Sequence, residues 1–235
     1  MTLPILDTRL LRASGFIRES AYLADIGTDH AYLPIYLSLI GRIDRALASD
    51  INDGPVLRAK QSVTKYGVAD KIDVIKSAGL DGAVDYPVTD VVIAGMGGEL
   101  IASILSDAPW IKNEKYNLVL QPMTHPEILR KYLLFEGFSI IGEDVVSDMK
   151  DSNAKVYQII NAVYTGKTDE TYTAPELLFG RLNTERGGEE FYRLCQREAK
   201  KHGEIVKAKE AAGQDCAYER EILSFAQMIL ERNGQ

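Results

Sequence analysis

The 235-residue chain is poor in cysteine, and it lacks both a long apolar run and an excess of basic residues. Its two cysteines, Cys195 and Cys216, are too few for a disulfide framework and match no zinc spacing, so we expect a reducing, by default cytoplasmic, compartment. No apolar run approaches the ~20 residues of a membrane span, and the first residues do not resemble a secretory signal. The formal net charge of -7 argues, taken alone, against a nucleic-acid binder.

What the chain does contain is an ordinary globular composition, with 46% hydrophobic and 26% charged residues. Its length is sufficient for one α/β domain of roughly 150 to 170 residues and a smaller module.

The most informative stretch covers residues 21–37, AYLADIGTDHAYLPIYL. An apolar run ends at Gly27, and an apolar pattern with helical spacing follows it, which predicts a strand, a tight glycine turn and a helix. In an open α/β sheet such a turn lies at the carboxyl end of the first strand, where ligands bind. A nucleotide-like ligand is therefore the first hypothesis.

The residues after Gly27 argue against a pyrophosphate. The second and third glycines of a G-x-G-x-x-G fingerprint are replaced by Asp29 and Tyr32, which would crowd and repel phosphate. S-adenosylmethionine (SAM), which has an ammonium group and no phosphate, suits the stretch better, with Asp25 holding the amino group. The alternative is that Asp25 is only a turn former and Asp29 only a helix N-cap.

A second acid strengthens the nucleotide hypothesis. Residues 42–52 predict a second strand, and its Asp50 follows Gly27 by 23 residues, close to the ~20-residue offset at which an acid binds ribose hydroxyls. Asp53, followed by Pro55, is better placed to cap the next helix, which leaves Asp50 for the ligand. Arg9, on a short helix predicted within residues 3–16, either reaches a ligand carboxylate or pairs with a surface acid.

Residues 90–105, DVVIAGMGGELIASIL, repeat the pattern of strand, glycine loop and helix. The glycines allow backbone to approach a flat ligand closely, and Glu99 stands where a phosphate loop would need a lysine. With the remaining patterns the chain reads as five βα units followed by an antiparallel hairpin of residues 138–146 and 155–165, joined by the polar turn DMKDSN. Seven strands indicate the doubly wound, Rossmann-like fold of class I SAM-dependent methyltransferases.

Residues 165–175 predict a linker, and two helices folded as a coiled-coil-like antiparallel hairpin follow it. We therefore divide the chain into a SAM-binding catalytic domain, 1–165, and a C-terminal helical domain, 166–235. One segment of the hairpin carries six basic residues against two acids: Arg193, Arg197, Lys200, Lys201, Lys207 and Lys209. These residues form either a solvated helix face or a surface for a nucleic-acid backbone.

Four motifs, ADIGTDHAYLPI, SDINDGP, DVVIAGMGGELIASIL and LVLQPMTH, followed by the helical hairpin, resemble the bacterial tRNA (adenine-22, N1)-methyltransferase family over essentially the whole chain. The resemblance implies a class I methyltransferase fold, SAM as methyl donor and N1 of the adenine at tRNA position 22 as target. The cofactor positions that it implies in this sequence are Arg9, Asp25, Gly27, His30, Asp50, Gly79, Leu80 and Gly95. In one departure, Ala78 stands where the family pattern G-D-G-L has an acid.

Because the implied target is an adenine, we expect further residues to form a pocket for that base. Met96, Gly97 and Gly98 would form a wall of the base pocket, with Met96 as a flexible surface and the glycines giving clearance, and Gln121 and Pro122 could face the base. The reaction requires no general acid or base and no metal. Two other classes stay open, namely methylation of a small molecule or protein, and SAM binding without catalysis. The oligomeric state also stays open.

Overall fold

The computed structural model describes residues 2–148 and 155–233, and within them one sheet contains seven strands. The strands are β1 (Ala21–Ile26), β2 (Ile43–Asp50), β3 (Ile72–Lys76), β4 (Asp90–Met96), β5 (Asn117–Pro122), β6 (Phe138–Asp148) and β7 (Lys155–Tyr164). The helices are α1 (Thr8–Ser14), α2 (Tyr32–Leu39), α3 (Asp53–Lys65), α4 (Gly98–Ser106), α5 (Pro126–Phe135), α6 (Ala174–Phe179), α7 (Arg181–Arg186), α8 (Glu189–Ala211) and α9 (Ala217–Asn233).

The strand order is β3-β2-β1-β4-β5-β7-β6, which confirms the predicted seven-stranded, doubly wound fold. The first five strands are parallel, and β7 lies antiparallel between β5 and β6. Apolar clusters cover both faces of the sheet, as parallel strands require. The order reverses between β1 and β4, so the crevice at their carboxyl ends is the place where this fold binds ligands. The predicted turn between β6 and β7 lies largely outside the described residues.

Three local predictions differ from the structure. A single 3₁₀ turn, Asp81–Ala83, connects β3 to β4, so the third of the five predicted βα units has no α-helix. The first helix begins only at Thr8, because the Asp7 carboxylate accepts the Leu10 backbone N–H at 2.9 Å and so caps it. The cap of α3 is Asn52 instead of Asp53, whose carboxylate pairs with Lys76.

The helices α8 and α9 run in opposite directions, as their contacts show. The Tyr192 hydroxyl near the start of α8 donates to the Leu230 carbonyl near the end of α9, and Lys209 near the end of α8 pairs with Glu219 near the start of α9. Gly213, at φ +63°, turns the chain between them. Neither helix, nor any other in the described residues, is long and apolar enough to cross a membrane.

The C-terminal helices share a core with the sheet. An apolar cluster joins Val145 of β6 and Val156 of β7 to Phe179, Phe191 and other residues of the helices. Between β7 and α8 the chain also forms the short helices α6 and α7, which the sequence patterns did not predict.

A buried polar network reinforces this junction. The Arg130 guanidinium of α5 is fully enclosed and donates to Glu143 of β6 and Gln158 of β7, both at 2.7 Å. It also donates to the carbonyls of Leu177 and Leu178 in α6. Because a buried charge is stable only with such partners, the position of α6 is fixed by the strands beneath it.

Candidate active site

Two cavities meet at Gly27, at the carboxyl ends of β1, β2 and β4. The larger has a volume of about 440 Å³ and extends toward β3 and α4, and the smaller, of about 220 Å³, extends toward α1 and α2. Gly27 has φ +76°, and its N–H donates to the Ser49 carbonyl at 2.8 Å, so the turn brings backbone to the boundary between the cavities. The positive φ favours glycine there, and an added Cβ would also force the Met96 methyl group to move.

The larger cavity combines one carboxylate with apolar walls. Asp50 ends β2, and its Oδ1 accepts the Asn52 N–H at 2.7 Å, while its Oδ2 has no partner among the described residues. Its apolar walls include Ile51, Leu100 and Ile104, together with the buried Leu80. A flat heterocycle between these walls would lie next to a carboxylate that can accept two hydroxyl groups.

The smaller cavity contains a buried acid. Asp25 is 8% exposed, and this burial raises the pKa of its carboxyl to about 6, although a hydrogen bond with Thr28 opposes the shift. Near neutral pH the cavity therefore contains a carboxylate with little solvent and no paired cation among the described residues. A ligand ammonium group would supply the missing charge.

Arg9 reaches the same cavity from α1 and pairs with an acid, which is one of the two alternatives raised for it. Its Nε donates to Asp7 at 3.0 Å, and its Nη1 donates to the Gln121 side-chain oxygen at 2.7 Å. Gly95, at φ +84°, lies beneath the guanidinium, where an added Cβ would come within 3.0 Å of Nη1. The guanidinium is thus fixed at the wall of the cavity.

His30 and Tyr32 form an aromatic pair that lines the smaller cavity. Their rings stack with centroids 5.0 Å apart, and both side chains are partly exposed. Asp29 pairs with His30 and with Arg58 and does not cap α2, whose N-cap residue is Ala31. The role of Thr28 was not predicted from the sequence: its hydroxyl accepts the Ala31 N–H and fixes the turn.

The glycine loop after β4 differs from its predicted role at two residues, since neither Gly97 nor Gly98 lines either cavity. The Gly98 N–H donates to the Thr124 carbonyl at 2.7 Å, and an added Cβ would clash with the His125 carbonyl oxygen. The space that Gly98 leaves is therefore filled by the loop between β5 and α5, and no clearance for a base remains there. Met96 does lie at the junction of the two cavities, where a reacting group would be placed.

Gln121 and Pro122 are placed differently from the prediction that they face a base. Gln121 is fully buried, its Oε1 accepts from Arg9 and from the Gly95 N–H, and its Nε2 donates to the Pro122 carbonyl. Pro122 is buried in β5, and neither residue lines either cavity. Gln121 instead orients Arg9 and the glycine loop.

The basic segment of α8 is less positive than its composition suggests. Most of its cations pair with neighbouring acids: Arg193 with Glu189, Arg197 and Lys201 with Glu198, and Lys209 with Glu219. Only Lys200 and Lys207 of the six have no acidic partner among the described residues, and both border an open groove between α8 and α9. No group of three or more residues suited to hold a metal occurs in the described ranges.

The order of the strands, the glycine turn and the paired cavities define this protein as a Rossmann-like methyltransferase. Residues 6–160 match the family model described as a methyltransferase domain. The chain belongs to the tRNA (adenine(22)-N(1))-methyltransferase family. It is 36% identical over 177 residues, 75% of this chain and 72% of the relative, to the Bacillus subtilis (strain 168) enzyme of that name.

Solved structures agree over nearly the whole chain. The B. subtilis TrmK structure has a TM-score of 0.79 at 30% identity and covers 97% of this chain and 96% of its own. The Streptococcus pneumoniae protein Sp1610 in complex with S-adenosyl-L-methionine has a TM-score of 0.82 at 28% identity, with 96% and 100% covered. Mycoplasma capricolum TrmK with S-adenosyl-homocysteine has a TM-score of 0.74 at 25% identity, with 97% and 98% covered.

Proposed function

We propose that this protein transfers a methyl group from SAM to N1 of the adenine at position 22 of tRNA. The observation that carries the proposal is the pair of cavities joined at Gly27, in a chain whose curated relative has this activity. A tRNA substrate places the reaction in the cytoplasm.

The residues around the two cavities suit SAM. Asp50 has a free oxygen for the ribose hydroxyls, Ile51 and Ile104 are placed to enclose the adenine, and Asp25 is placed to hold the amino group of the methionine part. Arg9 can hold the methionine carboxylate, with Gln121 fixing its orientation. His30, Gly79, Leu80 and Gly95 complete the proposed set through ring stacking or backbone approach. When bound, SAM supplies a methyl group already activated on a sulfonium.

The protein's own residues have to align the nucleophile, exclude water and stabilise positive charge. Adenine N1 has a free lone pair at pH 7, and the methylated base is a cation, so no residue needs to remove a proton before attack. Asp25 and Asp50 keep the site negative while charge moves from the sulfonium to the base. Met96, at the junction of the cavities, would contact the reacting groups, and Gly97 next to it is the N-cap residue of α4.

N1 lies on the edge of adenine that base pairing hides, so the target has to be unpaired or flipped, at a cost of a few kcal/mol. The stacked pair of His30 and Tyr32 is partly exposed beside the smaller cavity and offers an aromatic surface for an extruded base.

To test the activity, we would incubate the purified protein with labelled SAM and an unmodified tRNA transcript, and map the product by reverse transcription, which stops at N1-methyladenine. We expect a stop at adenine 22 and none in a matched transcript with guanine there. SAM binding without transfer to any tRNA would contradict the proposal and favour a small-molecule substrate or a non-catalytic role.

We further propose that the C-terminal helices, within residues 166–235, contact the tRNA backbone through Lys200 and Lys207. The support is that these two lysines are exposed and unpaired among the described residues, beside the groove between α8 and α9. The paired residues Arg193, Arg197, Lys201 and Lys209 contribute less, because each would have to leave an acid to bind a phosphate.

The double variant Lys200→Ala, Lys207→Ala tests this interface. The logarithm of the tRNA binding constant falls with the logarithm of the salt concentration, and each lost phosphate contact makes this slope shallower by about 1. We therefore expect a slope shallower by about 2 and unchanged SAM affinity. Lys71→Ala, Lys115→Ala is the matched control, since those exposed lysines lie at the amino ends of β3 and β5, away from the cavities. An equal change in slope in both double variants would contradict the assignment.

A further inference from the structure

The segment that follows β3 lines the larger cavity with Ser77, Ala78 and Asp81, in addition to Gly79 and Leu80. Ala78 in this segment has no side-chain group that can form a hydrogen bond. Ser77 has a hydroxyl, but its oxygen accepts the Gly82 N–H at 2.8 Å and is used to close the turn. Asp81 lines the same cavity and has no side-chain partner among the described residues.

The backbone holds Asp81 in a fixed place. Its N–H donates to the Ala78 carbonyl at 3.1 Å, and the Ala83 N–H donates to the Leu80 carbonyl at 3.0 Å. Leu80, directly before Asp81, is buried and anchors the turn in the core. The carboxylate therefore projects from a short, internally bonded turn, and little entropy is lost when a ligand binds it.

Two other acids line the cavity. Asp50 is placed at the end of β2 for the ribose hydroxyls. Asp107 is the C-cap residue of α4, where the negative end of the helix dipole disfavours the additional negative charge of a carboxylate. Asp81 remains as the acceptor for a donor on the edge of a base that lies between Ile51 and Ile104.

We propose that Asp81 accepts a hydrogen bond from the exocyclic amino group of the cofactor's adenine and makes the site selective for adenosyl over 6-oxopurine ligands. The inference rests on the proposed use of SAM. A 6-oxo base would place a carbonyl oxygen against the carboxylate, so the two oxygens would repel. Asp81 thereby supplies from the next turn the acidic group that Ala78 lacks.

The test compares the affinities of S-adenosyl-L-homocysteine and S-inosyl-L-homocysteine by calorimetry on the full-length protein. We expect the wild type to favour the adenosyl ligand by at least about tenfold. In Asp81→Asn the affinity for the adenosyl ligand falls about tenfold, and the preference falls below about twofold because the amide can also donate to a 6-oxo group. Asp85→Asn, an exposed acid outside the cavity, controls for the lost charge and keeps the wild-type preference.

Three outcomes would overturn the assignment: a wild type without preference, an Asp81→Asn variant that loses affinity for both ligands equally, or loss of preference in Asp107→Asn instead. A wild type that binds neither ligand contradicts the proposed function itself, and is thereby distinguished from a failure of Asp81 alone.

Discussion

The two ends of the sheet treat a buried acid in opposite ways. At the amino end, Asp90 of β4 is fully buried and accepts from the Arg18 guanidinium at 2.8 Å, the Arg18 backbone N–H at 3.0 Å and the Asn117 amide at 2.7 Å. At the carboxyl end, Asp25 of the neighbouring β1 is nearly as buried, but it has only Thr28 as a hydrogen-bond partner and no paired cation among the described residues.

The difference separates structural from ligand-binding acids. Asp90 is satisfied entirely within the protein, so its network contributes to stability alone. Asp25 and Asp50 both retain unused hydrogen-bonding capacity for a ligand. Only at the buried Asp25 does this cost stability in the absence of a ligand. Substitutions at the two ends should therefore affect different measurements.

The largest expected effect is on ligand affinity at the carboxyl end. Asp50→Ala removes a charged acceptor for two hydroxyl groups, so we expect SAM affinity to fall by about 100-fold or more. The melting temperature should change little, because Asp50 has one backbone partner and no buried one. Calorimetry and thermal unfolding check the two parts, and unchanged affinity would remove Asp50 from the site.

The reverse pattern is expected at the amino end. Asp90→Ala leaves one N–H of the Asn117 side-chain amide and the Arg18 backbone N–H without an acceptor, although Asn117 still donates to the Phe16 carbonyl. The free energy of unfolding should therefore fall by about 2 to 4 kcal/mol. SAM affinity in the folded protein should stay within about twofold of the wild type. Urea unfolding and calorimetry measure these quantities. A large loss of SAM affinity in the folded variant would contradict the claim that Asp90 contributes to stability alone.

A smaller, pH-dependent effect is expected at Asp25. Because its pKa is about 6 in the folded protein, above the ordinary value, the folded chain binds the proton more tightly than the unfolded chain. Stability from this group is present below about pH 4 and is lost as the pH rises through 6. Asp25→Asn should therefore raise the free energy of unfolding by about 1 to 3 kcal/mol at pH 7 but not at pH 4.

The same variant separates stability from binding. Wild-type SAM affinity should increase between pH 5 and pH 7 as the Asp25 carboxyl loses its proton, whereas Asp25→Asn should bind about tenfold more weakly at pH 7 and show less pH dependence. Calorimetry at both pH values checks this. If Asp25→Asn gains no stability at pH 7, the negative charge of the Asp25 carboxylate is already compensated by other groups of the protein.

Local sequence patterns were enough to predict the strands, the Gly27 turn and the position of Asp50. These features depend on spacing along the chain, because the carboxyl ends of parallel strands meet at one edge of the sheet. What the patterns could not predict depends on contacts between distant segments. Gln121 is enclosed because Arg9 lies over it, Gly98 is filled by the His125 carbonyl, and the α8 cations are neutralised by acids that fold next to them.

The division of the chain into two domains at residue 165 stays a prediction, and the hydrogen bonds of Arg130 cross that boundary. This guanidinium lies in the proposed catalytic domain and bonds to the backbone of α6 in the proposed C-terminal domain. Recombination between family members at that boundary would therefore preserve folding only if Arg130, Glu143 and Gln158 matched the incoming α6. The two parts of the chain are therefore constrained to evolve together at this contact.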